Sequence, residues 1–116
     1  MKPTQVLGSL VFGAIAAYGV TLYATEPHPS ELFKQYCAKC HGEDGKADTA
    51  KGKHLMARKF ADAEWQAGVK DAELIKSVTN GKGDDMPPFG KKLTPEQIES
   101  LVKNDVRGFV KKPAGQ

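Results

Sequence analysis

The residues best equipped for chemistry are Cys37-Ala38-Lys39-Cys40-His41, which contain both cysteines of the 116-residue chain. Side chains three apart on a helical turn face the same way. Two sulfurs so placed can form thioethers with the vinyl groups along one haem edge, and a histidine directly after them swings its imidazole under the iron. This spacing is the attachment signature of covalent c-type haem. A thioredoxin-like redox pair would open a helix after a strand, whereas this pair closes a helix with no strand pattern before it. A zinc site would need a second pair of ligands, and only His28 and His54 are on offer. The reading is therefore one covalent haem c, bound through Cys37 and Cys40, with His41 on the iron.

An electron-carrying iron generally has both axial positions filled, because a fixed six-coordinate geometry keeps reorganisation small. Met86, Met56, His54 and His28 could supply the second ligand. Met86 lies between the glycine-rich turn Gly81-Lys82-Gly83 and Pro87-Pro88. The prolines hold the preceding backbone extended and can present the thioether rigidly. Methionine is a soft ligand that favours reduced iron and raises the potential. Met86 is thus the expected distal ligand, Met56 a contact to haem or core, and His54 a solvent-facing residue.

Helices must position these groups, since no period-two apolar run is long enough to indicate a sheet. The first helix begins near Ser30, a cap for orphan amides, and ends at His41-Gly42 with Phe33, Cys37 and Cys40 on one face. Residues 42–60 read as a long loop wrapping around something. A helical turn after Asp62 carries Trp65, expected in the core rather than at a haem propionate, and stops at Gly68. A second full helix takes Asp71 as N-cap, buries Leu74, Ile75 and Val78, and stops at Asn80-Gly81. The last opens on the capping box Thr94-Pro95-Glu96-Gln97 and buries Ile98, Leu101, Val102, Val106, Phe109 and Val110, ending before Pro113.

Ahead of these elements, the uncharged run Val6 to Ala24 follows a single Lys2. It reads as an export signal, either a cleaved signal peptide or a membrane anchor just long enough to span a bilayer as an apolar helix. Residues 1–24 would be that signal or anchor, 25–30 a stiff linker, 31–112 the haem domain and 113–116 a tail. Either form places the domain on the periplasmic side. The formal charge is only +3, which gives no case for nucleic acid, a ligand that usually meets a strongly basic face. The lysines around the motif loops, Lys39, Lys46, Lys51, Lys53, Lys82, Lys91 and Lys92, alternate with acids and read as an ordinary solvated surface.

From Phe33 to Phe109 the chain resembles the monohaem class I cytochromes c of bacterial type. The resemblance is carried by Phe33-Lys34-Gln35-Tyr36-Cys37-Ala38-Lys39-Cys40-His41-Gly42-Glu43-Asp44-Gly45, Val78-Thr79-Asn80-Gly81, Met86-Pro87-Pro88-Phe89, Leu93-Thr94-Pro95-Glu96-Gln97-Ile98 and Val106-Arg107. It implies a small all-α cytochrome c fold of three main helices and a short helical turn around one haem, the first and last helices crossing. By position it makes Cys37 and Cys40 the haem attachments, His41 the proximal ligand and Met86 the distal one. In two respects the chain departs from the family. Relatives often have a proline after the histidine whose carbonyl orients the imidazole, and residues 42–60 contain none. Many also have an aromatic residue before the Val-Arg of the last helix, where this chain has Lys103-Asn104-Asp105.

The expected function is single-electron transfer in periplasmic respiration, without catalysis, between redox partner proteins. Membrane association through residues 6–24 is part of that expectation. An electron-input subunit of a membrane respiratory complex is one alternative. A haem sensor or peroxidase-like protein with an open distal site is another.

Overall fold

Ser30 starts the first helix by accepting a hydrogen bond from the Phe33 amide on its hydroxyl, at 3.2 Å. A computed structural model describes residues 13–14, 17–19 and 28–110. The apolar N-terminal segment, and with it the expected signal or anchor, therefore falls for the most part outside the described residues. Among those described, no helix is long and apolar enough to cross a membrane.

The elements in chain order are α1 (Glu31–Tyr36), α2 (Ala38–His41), α3 (Ala50–His54), α4 (Ala63–Gly68), α5 (Asp71–Asn80) and α6 (Pro95–Ser100). The last helix continues through a π turn, Leu101–Val106, and tightens into a 3₁₀ turn, Arg107–Phe109. Among the described residues the fold is all helical, with one isolated bridge between Lys82 and Met86. The core comprises Phe33, Phe60, Leu74, Val78, Phe89, Leu93, Ile98, Leu101, Val102 and Val106, with Ala38 beside them. Phe33, Ile98 and Val102 are its most enclosed large side chains. The expected stripe of the last helix is thus buried as far as Val106. Phe109 and Val110 are only partly covered.

Three expectations need correction. Residues 42–60 are not all loop: Thr49 caps α3, its hydroxyl accepting from the Gly52 amide at 2.9 Å. A glycine inside so short a helix weakens the local signal, but here it is required. A methyl group at Gly52 would overlap the Cys40 carbonyl oxygen, so α3 can lie against α2 only without a side chain at that point. The Thr49 hydroxyl also donates to the Lys39 carbonyl at 2.7 Å, a second tie between α3 and the haem motif. The cap of α5 is Lys70 rather than Asp71. Its amide donates to the Glu73 carboxylate at 2.9 Å, and the Asp71 carboxylate is taken by Arg107 at 2.7 Å.

Met56, expected to touch haem or core, is 89% exposed and so makes no core contact. It occupies the left-handed position (φ 52) that ends α3, with the Ala57 amide reaching back to the Gly52 carbonyl at 2.8 Å. This pattern usually has glycine at that point.

The departure at Lys103-Asn104-Asp105 resolves into a polar tie between the first and last helices. Asp105 is 2% exposed. Its carboxylate accepts from the Ser30 amide at 2.6 Å and the Ser30 hydroxyl at 2.7 Å. Phe109 completes the junction, its ring 5.1 Å from that of Phe33 and 4.4 Å from that of His28.

Candidate functional site

Cys37 is the hinge between α1 and α2. Its carbonyl accepts from the Cys40 amide at 3.2 Å and the His41 amide at 3.0 Å, winding the motif into one tight turn. Both cysteines are half-buried and unpaired. Burial, with a smaller contribution from the Asp105 carboxylate, pushes the Cys37 thiol up to about 12. A thiol so hard to ionise is ill suited to a nucleophilic redox pair, which rests on the thiolate. Conversion to a neutral thioether carries no such cost.

His41 is held from two directions. Its Nδ1 lies 2.9 Å from the Arg58 carbonyl oxygen, to which it donates as N–H, leaving Nε2 with the free lone pair. Its ring stacks on Phe60 at 4.2 Å between centroids and 17° between planes. Burial lowers the His41 pKa, the Arg58 carbonyl opposing it, so the imidazole is neutral at pH 7 as a metal ligand must be. Arg58 thus supplies the carbonyl that a loop proline supplies in many relatives. Sequence reading could not find it, because every residue has a carbonyl and only the path of the chain selects one.

Met86 sits on a different kind of support. The Lys82 amide donates to the Met86 carbonyl at 2.9 Å, and the Met86 amide to the Lys82 carbonyl at 3.2 Å. Gly81 must have φ 76 for this turn, and a methyl there would lie 2.6 Å from the Met86 carbonyl oxygen. The chain returns to α5 immediately afterwards, with the Phe89 amide on the Val78 carbonyl at 2.9 Å and the Gly90 amide on the Thr79 carbonyl at 3.0 Å. Tyr36, next to Cys37, meets Phe89 edge to face at 6.0 Å. Cys37 and Met86 both pack, partly buried, against the same core cluster. Of the other candidates, His54 is exposed, and His28 packs on Phe109 with Nδ1 3.7 Å from Asp105.

Residues 24–103 match the family model described as cytochrome c oxidase, cbb3-type, subunit III. A solved structure, the KustC0563 c-type cytochrome, is 50% identical over 69% of this chain and 94% of its own, with a TM-score of 0.64. The chain belongs to this family of c-type cytochromes. It is also similar to cytochrome c6 of Gloeothece citriformis, at 45% identity over 63% of this chain and 62% of that one. The cbb3-type cytochrome c oxidase subunit FixP of Azorhizobium caulinodans is 36% identical over 63% of this chain, but only 24% of its own length. The cytochrome spans about a quarter of that relative. As a member of this family of electron-transfer cytochromes, it carries covalently bound haem c. The donor set fits the group: two half-buried, unpaired thiols on one turn, and one neutral imidazole with Nε2 left free.

Sequence reading also missed Phe60 and, behind it, Gln66. Gln66 is buried, and its amide donates to the Phe60 carbonyl at 2.9 Å and the Val106 carbonyl at 2.6 Å. Arg107 in turn donates to the Gln66 side-chain oxygen at 2.9 Å. An isolated glutamine has no pattern to betray this role.

Proposed function

We propose that the cytochrome is a single-electron carrier on the periplasmic side of a respiratory chain. Cys37 and Cys40 hold the haem, while His41 and Met86 hold its iron. The observation that carries the reading is the double restraint on His41, a neutral ring fixed by the Arg58 carbonyl on one edge and by Phe60 on one face. Electron transfer is fast when bond lengths and angles change little between oxidation states. A ligand that cannot swing serves that requirement.

When bound, the haem would supply a one-electron change between ferrous and ferric iron. The protein supplies the rest. The Arg58 carbonyl keeps the proton on Nδ1 and so keeps Nε2 available in both states. The Lys82–Met86 bridge and Pro87-Pro88 hold the Met86 backbone against the loss of its thioether, and the soft sulfur favours the reduced form. Phe33, Phe60 and Phe89 exclude water around the motif.

The test is the visible spectrum of the purified haem protein. A low-spin spectrum with the weak sulfur-to-iron band at the red edge of the visible is expected. Met86→Ala should abolish that band and let the reduced protein bind carbon monoxide at neutral pH. A high-spin native protein, or one whose band survives Met86→Ala, would refute the ligand assignment.

The family match and the FixP relative support a second reading, an electron-input subunit of a membrane respiratory complex. Residues 6–24 would then anchor the domain beside its partner. Intact-mass measurement of the mature protein separates the two. One haem with the leader removed supports the free carrier, and one haem with the leader retained supports the anchored form.

A further inference from the structure

Four contacts around His41 close into a ring, and the outer two bring in the Trp65 ring and the Arg58 guanidinium. The Arg58 carbonyl accepts from Nδ1 at 2.9 Å. Phe60 stacks on the imidazole at 4.2 Å. Trp65 stacks on Phe60 at 5.8 Å and 27°. The Arg58 guanidinium lies over the Trp65 ring, 5.4 Å from its centroid. One residue therefore holds the imidazole edge with its backbone and closes the aromatic stack with its side chain.

We propose that Trp65 and the Arg58 guanidinium are positioning residues that set the plane of the His41 imidazole through Phe60. The physical need is specific. A single hydrogen bond to a carbonyl oxygen tolerates a broad range of approach, so it fixes the tautomer more firmly than the ring plane. Rotation of the ring about its attachment bond is resisted by a flat neighbour packed on its face. Phe60 is such a neighbour, and its backbone is anchored because Gln66 donates to its carbonyl at 2.9 Å. Besides His41, three rings neighbour it: Phe33 and Phe109, each 6.2 Å away, and Trp65, the nearest of the three at 5.8 Å. Trp65 is only partly buried. Its inner side packs against the core cluster, and the Arg58 cation lies over its face, where it adds a restraint.

The inference rests on His41 being the iron ligand, as proposed above. It is tested on the haem-loaded ferric protein by proton NMR, because the orientation of an axial imidazole governs how unpaired spin is shared among the four haem methyl groups. The variants are Trp65→Leu, Trp65→Phe and Arg58→Gln, the last keeping the carbonyl and removing only the cation. Ile98→Val, in α6 and sharing none of the four contacts, serves as a control for general loosening of the core. Trp65→Leu and Arg58→Gln are expected to change the order or spread of the methyl resonances more than the control does. Trp65→Phe, which restores a stacking face, should return the pattern towards wild type. Methyl resonances in both Trp65→Leu and Arg58→Gln that move no more than in Ile98→Val would overturn the proposal. Should Trp65→Leu fail to fold, Arg58→Gln alone decides it. Failure of the ligand assignment would show differently, as a wild-type protein without a low-spin histidine-ligated spectrum.

Discussion

Asp105→Ala should cost this cytochrome about 3 kcal/mol of stability. The carboxylate accepts from the Ser30 amide at 2.6 Å and the Ser30 hydroxyl at 2.7 Å, while 2% exposed. A hydrogen bond to an ionised acceptor contributes roughly 1.5–3 kcal/mol net. The two bonds share one serine and one carboxylate, so their effects do not add fully. The freed hydroxyl can still cap α1 through the Phe33 amide, which limits the further loss. Asp105→Asn keeps one acceptor and should cost about half as much, roughly 1.5 kcal/mol. Guanidinium unfolding of the haem-loaded protein, followed by far-UV circular dichroism and haem absorbance together, reads both values. A cycle with Ser30→Ala isolates the hydroxyl bond and should show a coupling of about 1 kcal/mol. The opposing term is the cost of keeping a carboxylate out of water, several kcal/mol before its donors are counted. If Asp105→Ala changes stability by less than about 0.5 kcal/mol, the donors merely offset that cost and the junction is held by Phe109 and the apolar contacts instead.

Arg107→Lys should cost about 2–3 kcal/mol, because a lysine cannot reproduce the planar fork. That fork reaches Asp71 at 2.7 Å, the Gln66 carbonyl at 2.7 Å and the Val69 carbonyl at 2.6 Å, and the denaturation midpoint checks the loss. Met56→Gly should stabilise the fold by up to about 1 kcal/mol, since it relieves a left-handed backbone and removes a side chain that packs on nothing in the core. A lower midpoint for Met56→Gly would show that the thioether makes a stabilising contact.

What the sequence made legible was whatever depends on nearest neighbours along the chain. The Ser30 cap, the Asp62 turn, the stop at Gly81 and the Thr94–Gln97 box are contests settled within four residues, and each lies where it was expected. Helix α3 escaped because its reason to exist, close approach to the Cys40 carbonyl, is a contact with another element. The Asp71 carboxylate was assigned to the cap of its own helix, whereas a guanidinium 36 residues away outcompetes that use. In Lys103-Asn104-Asp105 the sequence offers three polar residues with nothing to single out the one that turns inward. The π turn at Leu101–Val106 lies in this stretch, and it changes which residues share a face. At the site, Cys37, Cys40, His41 and Met86 were readable as chemical types. The groups that hold them were not, since a carbonyl, a ring face and a glutamine amide become supports only through the path of the chain.

The acceptor for His41 is a main-chain oxygen 17 residues downstream. No side-chain substitution at Arg58 can delete it. What the interaction records is arithmetic: the number of residues between the histidine and that carbonyl. Apart from its constrained glycines, Gly52 above all, the segment from Gly42 to Ala57 should therefore accept changes of letter more readily than changes of count. Removing or adding one residue would bring a different carbonyl opposite Nδ1, or none, while leaving every haem-binding residue intact. Across related chains, alignment gaps in this stretch would say more about the support of the iron ligand than any single amino-acid difference.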